Sequence, residues 1–162
     1  MAGKSRKPKD MSPRIDNRRA RHDYFISDKL ETGIVLTGSE VKSVRHGQVS
    51  LAEGYALIDP KRMELWLHDV DIAPYANASS ENGHVSKRKR KLLAHKREIA
   101  NLYGLVTNKG TTLAVLTMYF KDGRVKVEIG VAKGKQQFDK REDIKSRDAQ
   151  RDMQRAMTRK FL

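Results

Sequence analysis

The segments "TLAVLTMYF" at residues 112–120 and "VKVEIGV" at residues 125–131, joined by "KDGR" at residues 121–124, decide the fold. In the second segment, branched apolar residues alternate with Lys126 and Glu128, which predicts a strand with one buried face and one wet face. In the first segment both faces are largely apolar, as in a central strand. An Asp-Gly pair between two such runs is a strong hairpin signal. The sequence therefore predicts an antiparallel hairpin inside a sheet.

Shorter apolar runs precede this hairpin. We expect strands at "HDYFI", "GIVL", "YALI", "ELWL" and "VDI", with "DPKR" as the turn between the third and the fourth. The segment "SEVKSVRH" predicts a short helix capped by Ser39, and the chain from Ser86 to Gly104 predicts a longer helix with Leu92 and Leu102 on one face. The fold class is therefore mainly β with helices: a small antiparallel OB-fold-like barrel with two to three flanking helices and disordered basic tails.

Three regions differ in composition. Residues 1–16 are basic and almost free of apolar side chains, which predicts a disordered N-terminal arm. Residues 17–132 hold the apolar runs and form the expected OB-like barrel. Residues 133–162 form a basic C-terminal tail.

The overall charge points to a polyanionic partner. Lys and Arg number 34 against 20 acidic residues, which gives a formal net charge of +14. Nucleic acid is the first expectation and an anionic membrane surface the second. No apolar run reaches the roughly 18 residues that span a bilayer, so we expect a soluble, cytoplasmic protein without a membrane partner.

Signals for catalysis are weak. The chain has no cysteine, and its five histidines show no pair at ligand spacing on one predicted element. Gly33 and Gly38 have the spacing of a phosphate loop, but Ser39 and Glu40 stand where that loop needs Lys and Ser or Thr. We therefore predict no enzymatic activity, no catalytic residue, no cofactor and no metal.

Two basic segments are candidates for RNA contact. Residues 87–91, "KRKRK", contain Lys89, Arg90 and Lys91, which we expect to be exposed at the start of the predicted helix. Five cations there oppose the helix dipole unless an anion joins them. The alternatives are a solvated helix start or a nuclear-import signal. Residues 17–21, "NRRAR", open the ordered part, where we expect a stacking or phosphate role; a basic arm that frays off a strand is the alternative. The scarcity of aromatic residues favours folded RNA or a duplex backbone over a threaded single strand.

The tail carries arginines at every fourth position: Arg147, Arg151, Arg155 and Arg159. Its opposite face is too narrow to hold a helix on a core, and the arginines repel one another at this spacing. We expect the tail to be disordered when free and to become helical where phosphates neutralise the row. An ordinary solvated terminal helix is the alternative.

The segments "NRRARHDYFI", "ETGIVLTGSEVKSVRHG", "RKLLAHKREI", "LTMYFKDGRVKVEIGVAKGK" and "DKREDIK" together resemble the successive blocks of the SmpB (SsrA-binding protein) family. The resemblance runs from Asn17 to the C-terminus. It implies an OB-fold barrel that binds the tRNA-like part of transfer-messenger RNA (tmRNA) and acts in trans-translation on stalled ribosomes. The implied partners are tmRNA, the small-subunit RNA at the decoding centre and the mRNA channel, and indirectly the elongation factor EF-Tu carrying alanyl-tmRNA.

The resemblance also implies site residues. Those expected on RNA, together with Lys89 from the basic run, are Asn17, Arg19, His22, Tyr24, Glu31, Lys42, Lys89, Arg90, Lys91 and Leu92. Those expected in the mRNA channel are Lys133, Lys135, Phe138, Asp139, Lys140, Arg141, Arg147, Arg151 and Arg155. Phe138 stands where the family often has His or Tyr, so we expect it to stack. A nonspecific cationic DNA or chromatin-binding protein and a hydrolase or nuclease are the competing hypotheses.

Overall fold

The computed structural model describes residues 12–75, 83–107 and 110–159. Its strands are β1 Ile15–Asp16, β2 Tyr24–Ile34, β3 Val49–Ser50, β4 Tyr55–Asp59, β5 Glu64–His68, β6 Asp71–Ile72, β7 Arg90–Leu93, β8 Thr111–Lys121 and β9 Arg124–Gly134. Its helices are α1 Arg18–Asp23, α2 Gly38–Arg45, α3 Lys96–Val106 and α4 Gln137–Arg159. The strand-rich class predicted from the sequence is confirmed.

The predicted hairpin is present as β8 and β9. Asp122 and Gly123 both have positive φ, 51° and 74°, as a tight primed turn between twisted strands requires. Val127 and Ile129 are fully buried on the inner face of β9. On β8 the residues from Leu113 to Met118 are all buried, which confirms that this strand is central.

The strands form a closed ring. β8 pairs with β4 and the ring then passes through β5, β7, β2 and β9, which pairs back with β8. Every one of these pairings is antiparallel. Because the ring leaves no unpaired edge among these six strands, the main core lies inside it, with Leu65, Leu67 and Ile129 among its fully buried residues.

The helix predicted from Ser86 to Gly104 is wrong in its first half. Residues Arg90–Leu93 form β7, which pairs with β5 and β2 and closes the ring between them. The α3 helix begins only after His95, whose N–H donates to the Glu98 carboxylate at 2.8 Å. The spacing of Leu92 with the later apolar residues suggested a helical face. In the structure, burial alternates along β7, and Leu92 faces the core as a strand residue.

The start of the chain is more ordered than the composition indicates. Ile15 and Asp16 pair with Met118 and Thr117 of β8, so order begins before residue 17. Residues 17–21, for which a fraying basic arm was the alternative, open the α1 helix. The first two residues of "GIVL" end β2, so this segment is not a separate strand. The first eleven residues of the predicted arm lie outside the described part of the chain.

The tail contains the 23-residue helix α4. Ile144, Met153 and Met157 on this helix are exposed. The tail boundary that we expected after Ala132 falls inside β9, whose last residues Lys133 and Gly134 still pair with β2. Within the described ranges, no helix has the length and apolar character needed to cross a membrane.

Candidate RNA-binding surface

Asn17 is a buried anchor beneath the N-terminal cations. Its Oδ1 accepts from the Ala20 N–H at 3.0 Å and caps α1, while its Nδ2 donates to the carbonyls of Leu51 at 2.6 Å and Val115 at 2.9 Å. The side chain therefore ties α1 to two other parts of the barrel. Asn17 is only 4% exposed, so it positions α1 from inside the protein and is not itself part of the accessible surface.

The α1 helix and the end of β9 lie side by side. The Lys135 N–H donates to the Asp23 carbonyl at 2.9 Å, and Lys133 pairs with Phe25 of β2. Arg19 pairs with Asp23 at 3.6 Å across one helical turn. We call the exposed or half-exposed cations of this region the N-terminal patch: Arg18, Arg19, Arg21, Lys133 and Lys135.

His22 and Tyr24 lie within the same region. His22 Nδ1 is 3.0 Å from Asp23 Oδ1, so the carboxylate orients the imidazole ring. Tyr24 is half-buried and packs on a small second cluster formed by Ala20, Leu116 and neighbouring residues. The structure therefore brings together Asn17, Arg19, His22 and Tyr24 with the two lysines that the sequence assigned to the tail.

Glu31 lies at a second location on β2. Its carboxylate accepts hydrogen bonds from the Tyr119 hydroxyl and from Lys121 Nζ at 2.9 Å. The Tyr119 hydrogen bond and Lys121 hold the pKa of Glu31 below its ordinary value, and burial together with Glu31 raises the pKa of Tyr119 to about 12. Arg14 covers the Tyr119 ring at 5.4 Å. At about 3.3 Å per strand residue, Glu31 lies on the order of 20 Å along β2 from Tyr24.

A third group surrounds Glu40, which is fully buried at the start of α2. Its carboxylate accepts from Arg90 Nε at 2.8 Å, from Arg88 Nη2 at 2.6 Å and from the Thr37 N–H at 2.8 Å. Burial raises the pKa of Glu40, but these donors outweigh it and lower the pKa from 4.5 to about 2. Lys42, two residues further along α2, lies over the Tyr75 ring at 5.2 Å.

The structure corrects the expected exposure of the basic run. Arg90 is 0% exposed, and it donates to the carbonyls of Val70 at 2.8 Å and Ser86 at 2.7 Å as well as to Glu40. An arginine with this many partners positions the chain and is not available to a phosphate. Leu92 is likewise a core residue.

Lys89 and Lys91 differ from Arg90. Lys89 is exposed. Lys91 is half-exposed and pairs with Glu64 at 2.5 Å across the β5–β7 pair. Because side chains alternate along a strand, Lys91 points outward where Arg90 points inward. Of the three predicted basic contacts in this run, only Lys89 and Lys91 remain accessible.

The tail residues are exposed where the structure describes them. Asp139 accepts from the Gln136 N–H at 3.1 Å and thereby caps α4, and Arg141 is exposed. Arg151 and Arg155 each pair with an aspartate three residues earlier. The side chains of Phe138, Lys140 and Arg147 lie outside the described part of the chain.

Sequence reasoning missed three partners of the predicted residues: Glu40, Arg88 and Tyr119. Glu40 three residues after Thr37 matches the spacing of a capping box, which was a usable signal. No local pattern connects Tyr119 with Glu31, because strand pairing brings them together across β9. Among the residues that the structure describes, no three His, Asp or Glu side chains group to hold a metal ion.

The closed antiparallel ring, its flanking helices and its basic terminal helix define an OB-fold-like barrel protein with a cationic surface. The SmpB protein family matches residues 14–159. An SsrA-binding protein of Thermobifida fusca is 49% identical over 162 residues and covers 99% of both chains. One from Chloroflexus aurantiacus is 54% identical over 145 residues and covers 89% of each.

A solved structure described as "tmRNA-SmpB: a journey to the center of the bacterial ribosome" contains a similar chain. The two chains share 46% identity with a TM-score of 0.66 over 78% of this chain and 87% of the other. The chain belongs to the SmpB family.

Proposed function

We propose that this protein binds the tRNA-like part of tmRNA and brings it to stalled ribosomes for trans-translation. The observation that carries this proposal is the family match over residues 14–159, which includes the barrel and α4. Relatives of nearly full coverage are SsrA-binding proteins, and the structural neighbour comes from a tmRNA–SmpB complex of the bacterial ribosome.

The geometry suits a folded RNA. The N-terminal patch presents exposed Arg18, Arg19 and Arg21, and the half-buried Tyr24 lies next to them. Such a surface engages phosphates with the cations and unpaired bases with the ring. Asn17 and Glu31 act by hydrogen bonding that orients the surface, and Lys42, Lys89 and Lys91 supply further phosphate contacts.

We propose that α4 enters the vacant mRNA channel beside the decoding centre. Asp139 caps the helix, Lys140 and Arg141 follow it, and Arg151 and Arg155 sit on the exposed arginine row. Phosphates of small-subunit RNA supply more counter-charge to this row than its exposed aspartate partners do in water, so the helix becomes stable there. Phe138 stacks in this setting, and Arg147 extends the row.

The remaining parts of the proposal concern the setting. The protein works in the cytoplasm as a binding factor rather than an enzyme, without a cofactor, and meets EF-Tu only indirectly through alanyl-tmRNA. The alternative function, nonspecific binding of polyanions, is favoured only by the net charge of +14.

A salt titration separates these two functions. Neutralised phosphates release counterions, so we expect tmRNA binding to weaken with a log–log slope of about −4 to −7. At one salt concentration, tmRNA should outcompete random duplex by at least about a thousand-fold, the scale that separates specific from nonspecific nucleic-acid binding. Equal affinity for tmRNA and random duplex would contradict the proposal and support nonspecific binding of polyanions.

Two truncations test the tail. A chain ending at Gln136 keeps all of β9 and the Lys135–Asp23 hydrogen bond, so it should bind tmRNA within a few-fold of the full chain yet fail to support tagging on stalled ribosomes. A chain ending at Ala132 loses the pairing of Lys133 and Gly134 with β2, the pairing of Lys133 with β8 and both lysines of the N-terminal patch, and should bind more weakly. The variant Asp139→Ala, Lys140→Ala, Arg141→Ala should bind and fail to tag. Tagging by the chain ending at Gln136 would refute the proposed role of α4.

A further inference from the structure

A groove of about 320 Å³ opens beside the N-terminal patch. We call it the tyrosine groove, and its lining includes Arg19, Asp23, Tyr24, Glu53, Tyr55 and Thr112. Its volume lies at the small end of the range of about 300–1,000 Å³ for sites that enclose one small organic group. It is too small for a duplex and large enough for a single base.

The floor of the tyrosine groove is fixed before any ligand arrives. Asn17 Nδ2 bonds the carbonyls of Leu51 and Val115, and the Gly54 N–H donates to the Leu51 carbonyl at 3.0 Å. A Cβ on Gly54 would lie 2.5 Å from Val70 Cγ2, so the backbone here is packed directly on the core. A pre-formed floor lowers the cost of ordering a bound group.

Two aromatic side chains line this groove. Tyr24 and Tyr55 are both half-buried, and the Tyr55 ring stacks on His68 with centroids 5.3 Å apart and an angle of 16°. Stacking on His68 restricts the Tyr55 ring to one orientation. Unpaired RNA bases stack on rings held in this way.

The charges of the groove do not suit a phosphate inside it. Glu53 and Asp23 are both part of its wall, and a carboxylate repels an anion. Glu53 is well exposed, and its carboxylate lies 3.7 Å from Lys87 Nζ. The carboxylate oxygens of Glu53 and Asp23 are hydrogen-bond acceptors, so the groove suits a neutral group that offers N–H donors.

Guanine is the base that fits these acceptors. Its Watson–Crick edge presents N1–H and N2–H side by side, and the two oxygens of one carboxylate can accept both. Adenine, cytosine and uracil each present an acceptor next to their donor on that edge. That acceptor would lie against a carboxylate oxygen, and two acceptors repel each other.

We propose that the tyrosine groove binds one unpaired guanine of the RNA partner. The guanine stacks against Tyr24 and Tyr55, the Glu53 carboxylate accepts from its N1–H and N2–H, and Arg19 contacts the adjoining phosphate. This assignment rests on the proposed function, since it requires that the chain binds a folded RNA.

Kethoxal footprinting tests the assignment, because kethoxal modifies N1 and N2 of unpaired guanines. With the full chain bound, we expect one reactive guanine of tmRNA to become protected. Glu53→Gln, an isosteric change at an exposed residue, should restore the reactivity of that guanine and weaken tmRNA binding by about 5- to 50-fold. The loss should occur although the variant carries one negative charge fewer.

Matched variants provide the controls. Glu142→Gln removes the same charge on α4 and should leave both the protection and the affinity unchanged. Tyr55→Phe keeps the ring and should bind like the parent, whereas Tyr55→Leu should lose the protection at that one guanine. Melting curves of all four variants establish that they fold.

Three outcomes separate the possible failures. If tmRNA does not bind the full chain at all, the proposed function fails. If tmRNA binds and the protected guanine stays protected with Glu53→Gln, the groove assignment is overturned while the proposed function stands. If free guanosine monophosphate binds below about 1 mM and no guanine of tmRNA is protected, the groove takes a free nucleotide and the assignment to RNA is overturned.

Discussion

Arginine and carboxylate side chains meet in two very different regions, inside the barrel and along the tail. In the barrel, Arg90 and Glu40 are both 0% exposed and lie 2.8 Å apart. On α4, Arg151 and Arg155 are 71% and 80% exposed and lie 3.6 Å and 3.8 Å from aspartates three residues earlier. The charged groups are the same in both regions, but the barrel pair is shielded from water and the tail pairs are exposed to it.

This difference decides what each arginine can do. A buried pair has lost its hydration and depends on every donor and acceptor around it, so it is structural. An exposed pair in water contributes between about 0 and 1 kcal/mol and readily exchanges its aspartate for a phosphate. A basic run in a sequence therefore becomes a binding surface only where its side chains stay in water.

Arg90→Ala is expected to have the largest effect. Removing Arg90 takes away one of the two arginine partners of the buried Glu40 and leaves only Arg88, which should lower the free energy of unfolding by about 3–5 kcal/mol. Urea unfolding at pH 7 measures this loss. Arg151→Ala is the exposed control and should change the value by less than about 0.5 kcal/mol; similar losses in both variants would contradict the comparison.

Acid should remove part of the same stabilisation. The folded pKa of Glu40 is about 2 against an ordinary 4.5, so its contribution of roughly 3 kcal/mol is complete above pH 4.5 and is lost as the pH falls toward 2. Urea unfolding of the parent should show this fall. Glu40→Gln should be less stable at pH 7 and should show a flatter dependence between pH 4.5 and pH 2; an equally steep fall would assign the acid sensitivity to other carboxyls.

Asn17→Ala should have an intermediate effect, because a buried neutral group loses fewer interactions than a buried charge. The change removes the α1 cap and leaves the carbonyls of Leu51 and Val115 without this donor, which should cost about 2 kcal/mol. tmRNA binding should weaken without a change in the salt slope, since no phosphate contact is lost. A reduced slope would show that Asn17 acts on phosphates, and unchanged affinity would remove it from the site.

The exposed pairs of α4 should have the smallest effect. In a synthetic peptide of residues 133–162, we expect little helix by circular dichroism, and Asp148→Asn with Asp152→Asn should change the helix stability by less than about 0.5 kcal/mol. A peptide that is largely helical in dilute buffer would show that the tail is an ordinary solvated helix.

Much of the barrel was predictable because its signals are local. Alternation along residues 125–131 and the Asp-Gly turn predict β9 and its hairpin, and "YALI" and "ELWL" predict β4 and β5. The β7 strand was not predictable from local pattern, since its four residues also fit a helical face. Only pairing with β5 and β2, which are distant in sequence, makes it a strand.

The sequence predicted candidate residues for the site but not the contacts that they make. Charge and the family blocks led to Arg19, His22 and Glu31, which are accessible or partly so. They also led to Arg90, whose burial depends on an acidic partner 50 residues away. Sequence reports the charge of a side chain, whereas tertiary pairing decides whether that charge is hydrated.

The pairing of Tyr24 with Gly134, next to the Lys135–Asp23 hydrogen bond, gives the barrel a mechanical weak point. The α1 helix precedes β2 and the tail follows β9 at the same end of the β2–β9 ladder. If the tail is held and pulled while α1 is held in place, the force therefore acts on the end of this ladder. The hydrogen bonds between β2 and β9 then break one after another from that end, and they are not sheared all at once. Tension on the tail would reach the base of α1 while the rest of the ring stayed closed.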